Sequence, residues 1–213
     1  MSHLKRIAMP RSWPMPKTGT KYLVKARPGR KNEFSLPLLI VLRDLLDIVK
    51  TKSEAKKVLF MKEVSVNGKI VGDYKFPVSI FDIISIPKMK KSYKIIVKEN
   101  GKLGIEETKD ETKLSKVIGK TILSGKKTQI NLFDGNNMLS NDKIKINDSI
   151  VMSLKDKKIV KILPLKEKAR VSIIGGKNIG KEGIIEKIED NQVIVNIEKK
   201  DVNIRLNNIL VIE

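Results

Sequence analysis

Short alternating apolar runs separated by polar turns occupy most of the chain after residue 60, and this pattern limits the fold. Val64 and Val66 lead into Asn67-Gly68, and a second alternating run leads into Asn100-Gly101. Asn-Gly between such runs is a strong hairpin signal, because both residues accept the positive φ angles of a tight two-residue turn. The pattern therefore predicts sheets of short antiparallel strands.

More short strand candidates follow in the middle of the chain, at residues 130–133, 144–146, 149–154 and 159–163. Polar pairs separate them, at Asp134-Gly135, Asn147-Asp148 and Asp156-Lys157. Short strands joined by polar turns are typical of a small barrel, so we expect a barrel-like central domain over residues 91–165. Its many lysines fit a solvated outer face and direct contact with RNA equally well.

Two helices are predicted before the first hairpin. The first has Ser35 as its N-cap and Pro37 in its first turn, and it carries apolar residues at helical spacing. These apolar residues are Leu38, Leu42, Leu45, Leu46 and Val49. Thr51 and Glu54 form a T-x-x-E capping box that opens the second helix. Its inward positions are Ala55, Val58 and Leu59, and its outward positions are Lys52, Lys56 and Lys57.

The chain of 213 residues has a formal net charge of +20 and a pI near 10.0. Residues 1–35 hold nine Lys and Arg against one acid, whereas residues 166–213 hold nine against eight. A charge this large points to a polyanionic partner, nucleic acid first and a membrane surface second. A membrane-surface protein would place the charge along one amphipathic helix, and this chain does not.

The N-terminal 35 residues mix basic residues with prolines and glycines and show no helical or strand period. We expect an extended arm that becomes ordered only against RNA phosphates, with Trp13 and Tyr22 stacking on bases or sugars. A disordered, solubilising end is the alternative. The candidate RNA contacts are Lys5, Arg6, Arg11, Trp13, Lys17, Lys21, Tyr22, Lys25, Arg27, Arg30 and Lys31.

Residue types that support catalysis or metal binding are scarce. The chain has no Cys and one His, His3, which lies in the arm, and no acidic pair sits in a glycine-rich apolar setting. We therefore expect no enzyme activity, no cofactor and no metal. No apolar run approaches 18 residues, and no secretory signal is present, so an intracellular, soluble protein is expected.

Glycines at residues 175–183 invite comparison with the phosphate loop of nucleotide-binding proteins. Glu182 stands where that loop needs a hydroxyl for magnesium, and two strands about Asp190-Asn191 are predicted where it needs a helix. Gly119-Lys120-Thr121 fits the loop less well still, since Leu114 occupies its first glycine position. V-x-I followed by Gly176, Gly180 and Gly183 instead resembles the KOW motif. That resemblance implies a small SH3-like barrel, with Lys177, Asn178 and Lys181 as candidate RNA contacts or, alternatively, a protein-binding surface.

Two short helices, then V-x-V-N-G-K and D-I-I-S-I, resemble the RNA-binding domain named after bacterial ribosomal protein four. In that family one face grips RNA, and the matching residues here are Arg43, Lys52, Lys56, Lys57 and Lys69. Almost the whole chain resembles small-subunit ribosomal protein four of the archaeal and eukaryotic type. The features that carry this are HLKR at residues 3–6, PRSWP at 10–14, LPLLIVLRD in the first helix, DYKFPV at 73–78 and the KOW run. Tyr22 replaces an expected Trp, and Arg30-Lys31 follows Pro28-Gly29 where Pro-His is usual.

The resemblance implies a mostly β, α+β chain in four parts. These are a basic arm at 1–35, a small ααβ RNA-binding domain at 36–90, a strand-rich barrel-like domain at 91–165 and an SH3-like KOW barrel at 166–213. It also implies a structural constituent of the small ribosomal subunit, in the cytoplasm, that binds ribosomal RNA and neighbouring ribosomal proteins, without a membrane or a small-molecule substrate. A KOW-bearing transcription or translation factor and the RNA-binding subunit of an RNA-modifying enzyme are the alternatives.

Overall fold

The computed structural model describes residues 3–123, 127–140, 143–189, 191–198 and 200–212. The chain is mostly β with few helices, as predicted. It divides into two compact units. The first unit comprises Met1–Val97 and Gly101–Glu111, and the second comprises Lys98–Asn100 and Thr112–Glu213.

The described part of the first unit contains three antiparallel sheets, two longer helical segments and three short 3-10 helices at Arg6–Ala8, Asn32–Phe34 and Pro87–Met89. Its strands are β1 (Leu4–Lys5), β2 (Tyr22–Leu23), β3 (Ser35–Pro37), β4 (Ser65–Val66), β5 (Lys69–Ile70), β6 (Pro77–Ser79), β7 (Ile83–Ile86), β8 (Lys91–Val97) and β9 (Leu103–Thr108). β1 pairs with β2, β3 pairs with β6, and the remaining strands form one sheet in the order β5-β4-β7-β8-β9. Helix α1 (Leu38–Ile40) continues as a π-helix (Val41–Leu45), and α2 spans Lys52–Phe60.

Both predicted Asn-Gly hairpins lie in this one sheet. Asn67 and Gly68 have φ angles of 50° and 73° between β4 and β5, and Gly101 has a φ of 74° between β8 and β9. β8 also pairs with β7, with Tyr93 opposite Ile84. The sequence-based boundary at residue 91 thus falls inside a continuous sheet, because the second hairpin extends the sheet that the first one begins.

The first helix differs from its prediction at both ends. Ser35 does not cap it, because Ser35 lies in β3 opposite Ser79 and its hydroxyl donates to the Lys31 carbonyl. The N–H groups of Leu38 and Leu39 donate instead to the Phe76 and Tyr74 carbonyls, at 2.9 Å each. These backbone carbonyls satisfy the free N–H groups of the first helical turn, so no side-chain cap is needed. The helix ends by Leu45 and not near Val49.

Helix α2 forms as its sequence predicts. The Glu54 N–H donates to the Thr51 hydroxyl at 3.2 Å, and the Glu54 carboxylate accepts from the Thr51 N–H at 3.3 Å. This is a reciprocal capping box. Ala55 and Leu59 are buried and Val58 is half-buried, whereas the predicted outward lysines are exposed. The local signals of this helix agree with its packing.

The N-terminal segment is folded against the rest of the first unit and is not the extended arm that its composition predicts. Met9, Trp13, Met15 and Leu23 are buried in the same core as helix α1. β1 and β2 pair with Leu4 opposite Leu23. The segment is too polar to form a core of its own, but its few apolar side chains share the core built by residues 36–105.

The second unit contains two five-stranded antiparallel sheets. The first has the order β12-β11-β10-β13-β14, and the second has the order β18-β17-β16-β15-β19. The strands are β10 (Thr112–Ile122), β11 (Thr128–Leu132), β12 (Asn137–Ser140), β13 (Ser149–Ser153), β14 (Ile159–Leu163), β15 (Arg170–Ile173), β16 (Glu182–Ile188), β17 (Gln192–Ile197), β18 (Lys200–Arg205) and β19 (Ile209–Val211). The predicted turn at Asp190-Asn191 includes Asp190, which lies outside the described residues.

One strand prediction in this unit is wrong, and two strands of its first sheet were missed. Residues 144–146 are not a strand, although Ile144 is buried, and the strands β10 and β12 were not predicted. β10 is the longest of the described strands, and it buries Lys113 and Lys116 where apolar residues would be expected. These lysines break the apolar alternation on which strand prediction depends. Lys113 forms a buried ion pair with Asp134.

Burial lowers the pKa of the Lys116 ammonium to about 8. Its Nζ donates to the carbonyls of Leu206 and Ile209, the second at 2.8 Å. The folded protein therefore releases the Lys116 proton at a lower pH than the unfolded chain, whose lysines titrate near 10.5. Since the unfolded state binds more protons between these values, the Lys116 contribution to stability rises with pH across that interval.

We expect the difference in unfolding free energy between wild type and Lys116→Met to change between pH 8 and pH 10.5. Wild type should gain up to about 3 kcal/mol relative to the variant, because 1 pKa unit corresponds to about 1.4 kcal/mol. Urea denaturation at a series of pH values measures this. Lys120→Met, at an exposed position of the same strand, is the control. Parallel pH profiles for wild type and Lys116→Met would contradict the prediction.

Candidate nucleic-acid interface

Three lysine side chains surround the ring of Tyr74 on the surface of the first unit. The Nζ atoms of Lys52, Lys56 and Lys75 lie 4.7, 5.5 and 5.8 Å from the ring centroid. All three lie within about 6 Å, the range of a cation-π contact. Lys52 and Lys56 come from successive turns of α2, and Lys75 comes from the loop before β6. We call these four residues the Tyr74 cluster.

The electrostatics of the cluster favour a negative ligand. The hydrogen bond from the Lys52 side chain, together with the charges of Lys52, Lys75 and Lys56, lowers the pKa of the Tyr74 phenol. A lowered phenol pKa means that the surroundings stabilise negative charge at this point. None of these three lysines forms an ion pair with an acidic side chain among the contacts that the described residues make. The cluster is therefore free to meet an anion such as a phosphate.

The capping box of α2 positions two of these lysines. Hydrogen bonds from the Lys50 and Thr51 N–H groups and the Thr51 hydroxyl lower the pKa of the Glu54 carboxyl, so this carboxylate stays ionised near neutral pH. An ionised Glu54 in the first turn also interacts favourably with the helix dipole. The first turn thus keeps the orientation that carries Lys52 and Lys56 towards Tyr74.

The structure brings together only part of the surface predicted on this domain. Lys57 and Lys69 are exposed, but they do not contact the Tyr74 ring. The Arg43 guanidinium is bound by the adjacent Asp44 carboxylate at 2.9 Å, which offsets its charge. Tyr74 and Lys75 were missed, since nothing local in the 73–78 segment shows that it lies beside α2.

Trp13 does not have the exposed position that stacking on RNA requires. Its side chain is 1% exposed within the core, and its indole N–H donates to the Asn32 carbonyl at 3.1 Å. Both faces of the ring are covered by protein. The structure thus contradicts the predicted stacking role, because a ring buried in the core is not accessible to a base or a sugar.

Two of the arm's arginines also point into the protein. The Arg6 guanidinium donates to the Pro16 and Thr20 carbonyls and to the Thr20 hydroxyl, at 2.8–2.9 Å. The Arg30 guanidinium forms an ion pair with the fully buried Asp82. Their prediction as RNA contacts is corrected, since both side chains are largely buried and hold partners within the fold.

The remaining candidates in the arm are exposed. They are Lys5, Arg11, Lys17, Lys21, Tyr22, Lys25, Arg27 and Lys31. Tyr22 is 51% exposed, with its ring centroid 5.6 Å from that of His3 and 5.6 Å from the Lys21 Nζ. Arg27 contacts the Asp73 carboxylate. The role of these residues in RNA binding stays a prediction, with Tyr22 as the arm's exposed aromatic.

The glycine-rich loop between β15 and β16 has the backbone that its glycines allow. Gly176 and Gly180 have φ angles of 98° and 84°, in the left-handed region that favours glycine. β16 begins at Glu182 as a strand, so the phosphate-loop interpretation is excluded as predicted. The loop borders a cavity of about 470 Å³, which Lys177, Asn178, Asn203, Arg205 and Asn208 help to line. Lys181 forms an ion pair with Glu198 at 3.0 Å.

Neither a metal site nor a membrane-spanning helix occurs in the described part of the chain. It contains no group of three or more His, Cys, Asp or Glu residues that could hold a metal ion. It also contains no helix long and apolar enough to cross a membrane.

Comparison with known proteins identifies three family models along the chain. The RS4NT (NUC023) domain matches residues 2–29, the S4 domain matches residues 37–84, and Ribosomal family S4e matches residues 89–159. The crystal structure of the 30S ribosomal protein S4e from Thermoplasma acidophilum is similar, with a TM-score of 0.70 and 28% identity. That match covers 84% of this chain and 94% of the other.

Curated relatives extend over almost the full length. Small ribosomal subunit protein eS4 of Archaeoglobus fulgidus is 38% identical over 207 residues, which cover 94% of this chain and 88% of the relative. The eS4 protein of Methanospirillum hungatei is 40% identical over 193 residues, covering 87% and 80%. Among the functions that the sequence left open, these matches select the ribosomal one. The chain belongs to the S4e family, the eS4 proteins that are structural constituents of the small ribosomal subunit.

Proposed function

We propose that this chain holds small-subunit ribosomal RNA through separate basic surfaces, of which the Tyr74 cluster is the best defined. The observation that carries the proposal is the convergence of three ammonium groups on one aromatic ring without a neutralising acid. Ammonium groups bind phosphates as point charges, and their binding releases condensed counterions. The cluster would fix the position of the protein on the RNA backbone with little reading of base sequence.

Two other surfaces complete the proposal. The first consists of the exposed basic residues of the N-terminal segment together with Tyr22, which is positioned to stack on an unpaired base or a sugar. The second is the glycine-rich loop with Lys177 and Asn178, joined by Arg205 across the cavity. Support for the second surface is the lack of an acidic side chain in the cavity lining.

The KOW module, the location and the protein partners that family membership implies are part of the same proposal. We assign residues 166–213 to a KOW module with an SH3-like barrel, on the strength of the five-stranded sheet and the two left-handed glycines. The protein acts in the cytoplasm within the ribosome, as a non-enzymatic component that contacts neighbouring ribosomal proteins. We propose the four-part division on the charge excess of residues 1–35, which favours RNA binding there, and on the lysine-bearing loop of residues 166–213, whose overall charge is nearly balanced.

Salt titration tests the Tyr74 cluster directly. Replacing Lys52, Lys56 and Lys75 together by Gln should reduce the slope of log affinity against log salt by roughly two to three, if each lysine meets one phosphate. Affinity for isolated small-subunit RNA, measured by filter binding from about 50 mM to 500 mM salt, gives the slope. The variant should remain folded, since the three side chains are exposed.

The matched control removes the same charge elsewhere. Lys157, Lys158 and Lys161 are exposed lysines of the second unit, and replacing them by Gln changes the net charge equally. A general effect of net charge would lower the slope by the same amount in both triple variants. That result, or a salt slope near zero for wild type, would refute the proposed contact.

A further inference from the structure

A groove of about 950 Å³ opens in the first unit between the end of α2, β5 and the loop that carries Tyr74. Phe60 and Ile70 supply apolar walls, Leu59 lies at the base, and Lys56, Lys62 and Arg27 stand at the rim. The Tyr74 cluster borders the groove through Lys56 and Tyr74 themselves. We call this feature the Phe60 groove.

The apolar side chains of the Phe60 groove are unusually exposed. Phe60 is 88% exposed and Ile70 is 61% exposed, and the adjoining Met61 is 63% exposed. Elsewhere in the first unit the large apolar side chains of α1, β7 and β8 are mostly buried in one core. Large apolar side chains gathered on a surface mark sites of interaction, because covering them releases the water that they order.

The charge at the rim indicates the chemistry of the occupant. Lys56 and Lys62 are exposed cations at the rim. Asp73, the acidic residue of the lining, is already held by Arg27. A ligand that complements this groove must therefore present apolar groups to Phe60 and Ile70 and a carboxylate to Lys62, because Lys56 belongs to the Tyr74 cluster and is assigned to RNA.

These requirements favour another protein as the occupant of the groove over RNA or a second copy of this chain. An RNA base can stack on Phe60, but it offers nothing that covers the aliphatic Ile70 and Met61, and a phosphate against them would lose hydration without a partner. A second copy would bring another basic surface, from a chain of net charge +20, against the same lysines.

We propose that the Phe60 groove is a docking surface for an acidic, amphipathic segment of another protein of the small subunit. This inference rests on the proposed function, since it places RNA on the Tyr74 cluster and protein on the apolar groove beside it. The boundary between the two partners then lies along α2, with Lys52 on the RNA side and Phe60 on the protein side.

Site-directed photocrosslinking tests the proposal, because the chain contains no cysteine and a single introduced thiol is labelled uniquely. Full-length Phe60→Cys, labelled with a benzophenone maleimide, is incorporated into small subunits and irradiated, and its products are identified by mass spectrometry. We expect a crosslink to a ribosomal protein, at a peptide that contains several Asp or Glu residues among apolar ones. Labelled Tyr22→Cys is the matched control, and it should crosslink to ribosomal RNA.

Other products at position 60 would overturn the proposal. These are a crosslink to RNA, a homodimer of this chain, a basic peptide, or no crosslink within subunits that contain the labelled chain. Failure of wild type to enter the subunit would contradict the proposed function instead, so the two failures are distinguishable.

A second variant covers the case in which the bulky label itself blocks incorporation. Phe60→Ser with Ile70→Ser removes the apolar walls at exposed positions. We expect its affinity for isolated small-subunit RNA to stay within about twofold of wild type. We also expect that a competing wild-type chain displaces this variant from assembled subunits at least about tenfold faster than it displaces a bound wild-type chain. Displacement at the wild-type rate would overturn the docking surface, and a matching loss of RNA affinity would assign Phe60 to the RNA contact.

Discussion

Replacement of Trp13 by Ala is expected to lower the free energy of unfolding by about 3–5 kcal/mol, as for other buried aromatic residues. Trp13 is 1% exposed in the core of the first unit, so truncation removes apolar contacts and leaves a cavity. It also removes the donor that the Asn32 carbonyl accepts from. Urea denaturation of the purified chain, monitored by far-UV circular dichroism, measures the change.

Tyr22→Ala is the matched control, because Tyr22 is an aromatic residue of the same segment that is 51% exposed. Its replacement should alter the free energy of unfolding by less than about 1 kcal/mol, since surface substitutions have small effects. It should weaken RNA binding if the ring stacks as proposed. Wild-type stability in Trp13→Ala, combined with reduced RNA affinity, would restore the stacking role that burial contradicts.

The position of Trp13 also changes how the arm must be tested. Deletion of residues 1–31 would remove Met9, Trp13 and Leu23 from the core along with the exposed cations. A deleted chain that fails to enter the subunit would then report lost stability as much as lost RNA contacts. Neutralising only exposed cations, such as Lys17, Lys21 and Lys25, separates the two effects.

Elements with local signals could be predicted from the sequence. The capping box at Thr51 and Glu54 lies within four residues, and it starts α2 at the expected place. The Asn67-Gly68 turn likewise needs only its own two residues to accept positive φ. In these elements, short-range chemistry and the surrounding packing favour the same structure.

Elements that depend on distant partners could not be predicted in this way. Ser35 has the sequence of an N-cap, but its backbone pairs with Ser79, which lies 44 positions further along the chain. In β10, Lys116 is tolerated inside because the Leu206 and Ile209 carbonyls accept hydrogen bonds from its ammonium group. A window of ten residues contains neither partner, so local signals predicted a cap at Ser35 that does not form and predicted no strand at β10.

The residues of the Tyr74 cluster also divide into those that local sequence predicts and those that depend on the tertiary fold. Helical periodicity predicted that Lys52 and Lys56 lie on the outward face of α2, and the family resemblance implied that they contact RNA. Tyr74 and Lys75 join them only because the chain returns past α2 on its way to β6. The charge of the site was thus predictable from one helix, whereas the aromatic ring at its centre depends on the tertiary fold.

Replacement of Arg30 by Met is expected to lower the free energy of unfolding by about 3–5 kcal/mol, because it removes the guanidinium that pairs with the buried Asp82 carboxylate. The Asp82 side chain is fully buried, and it also accepts from the Ser79 N–H at 2.8 Å and the Asn67 amide at 2.9 Å. Asn67 in turn accepts from the Ile83 N–H. The pair therefore links the N-terminal segment to the turn between β4 and β5. Urea denaturation measures the loss.

Lys31→Met is the matched control, because it removes the same charge from the neighbouring, exposed residue and should change stability by less than about 0.5 kcal/mol. Combining Arg30→Met with Asp82→Asn should cost less than the two single losses added together, since the double variant buries no unpaired charge. Additive losses would contradict a direct pair. A stable Arg30→Met with weakened RNA binding would return Arg30 to the RNA surface. The double-variant cycle and the RNA affinity together therefore decide whether Arg30 stabilises the fold or binds RNA.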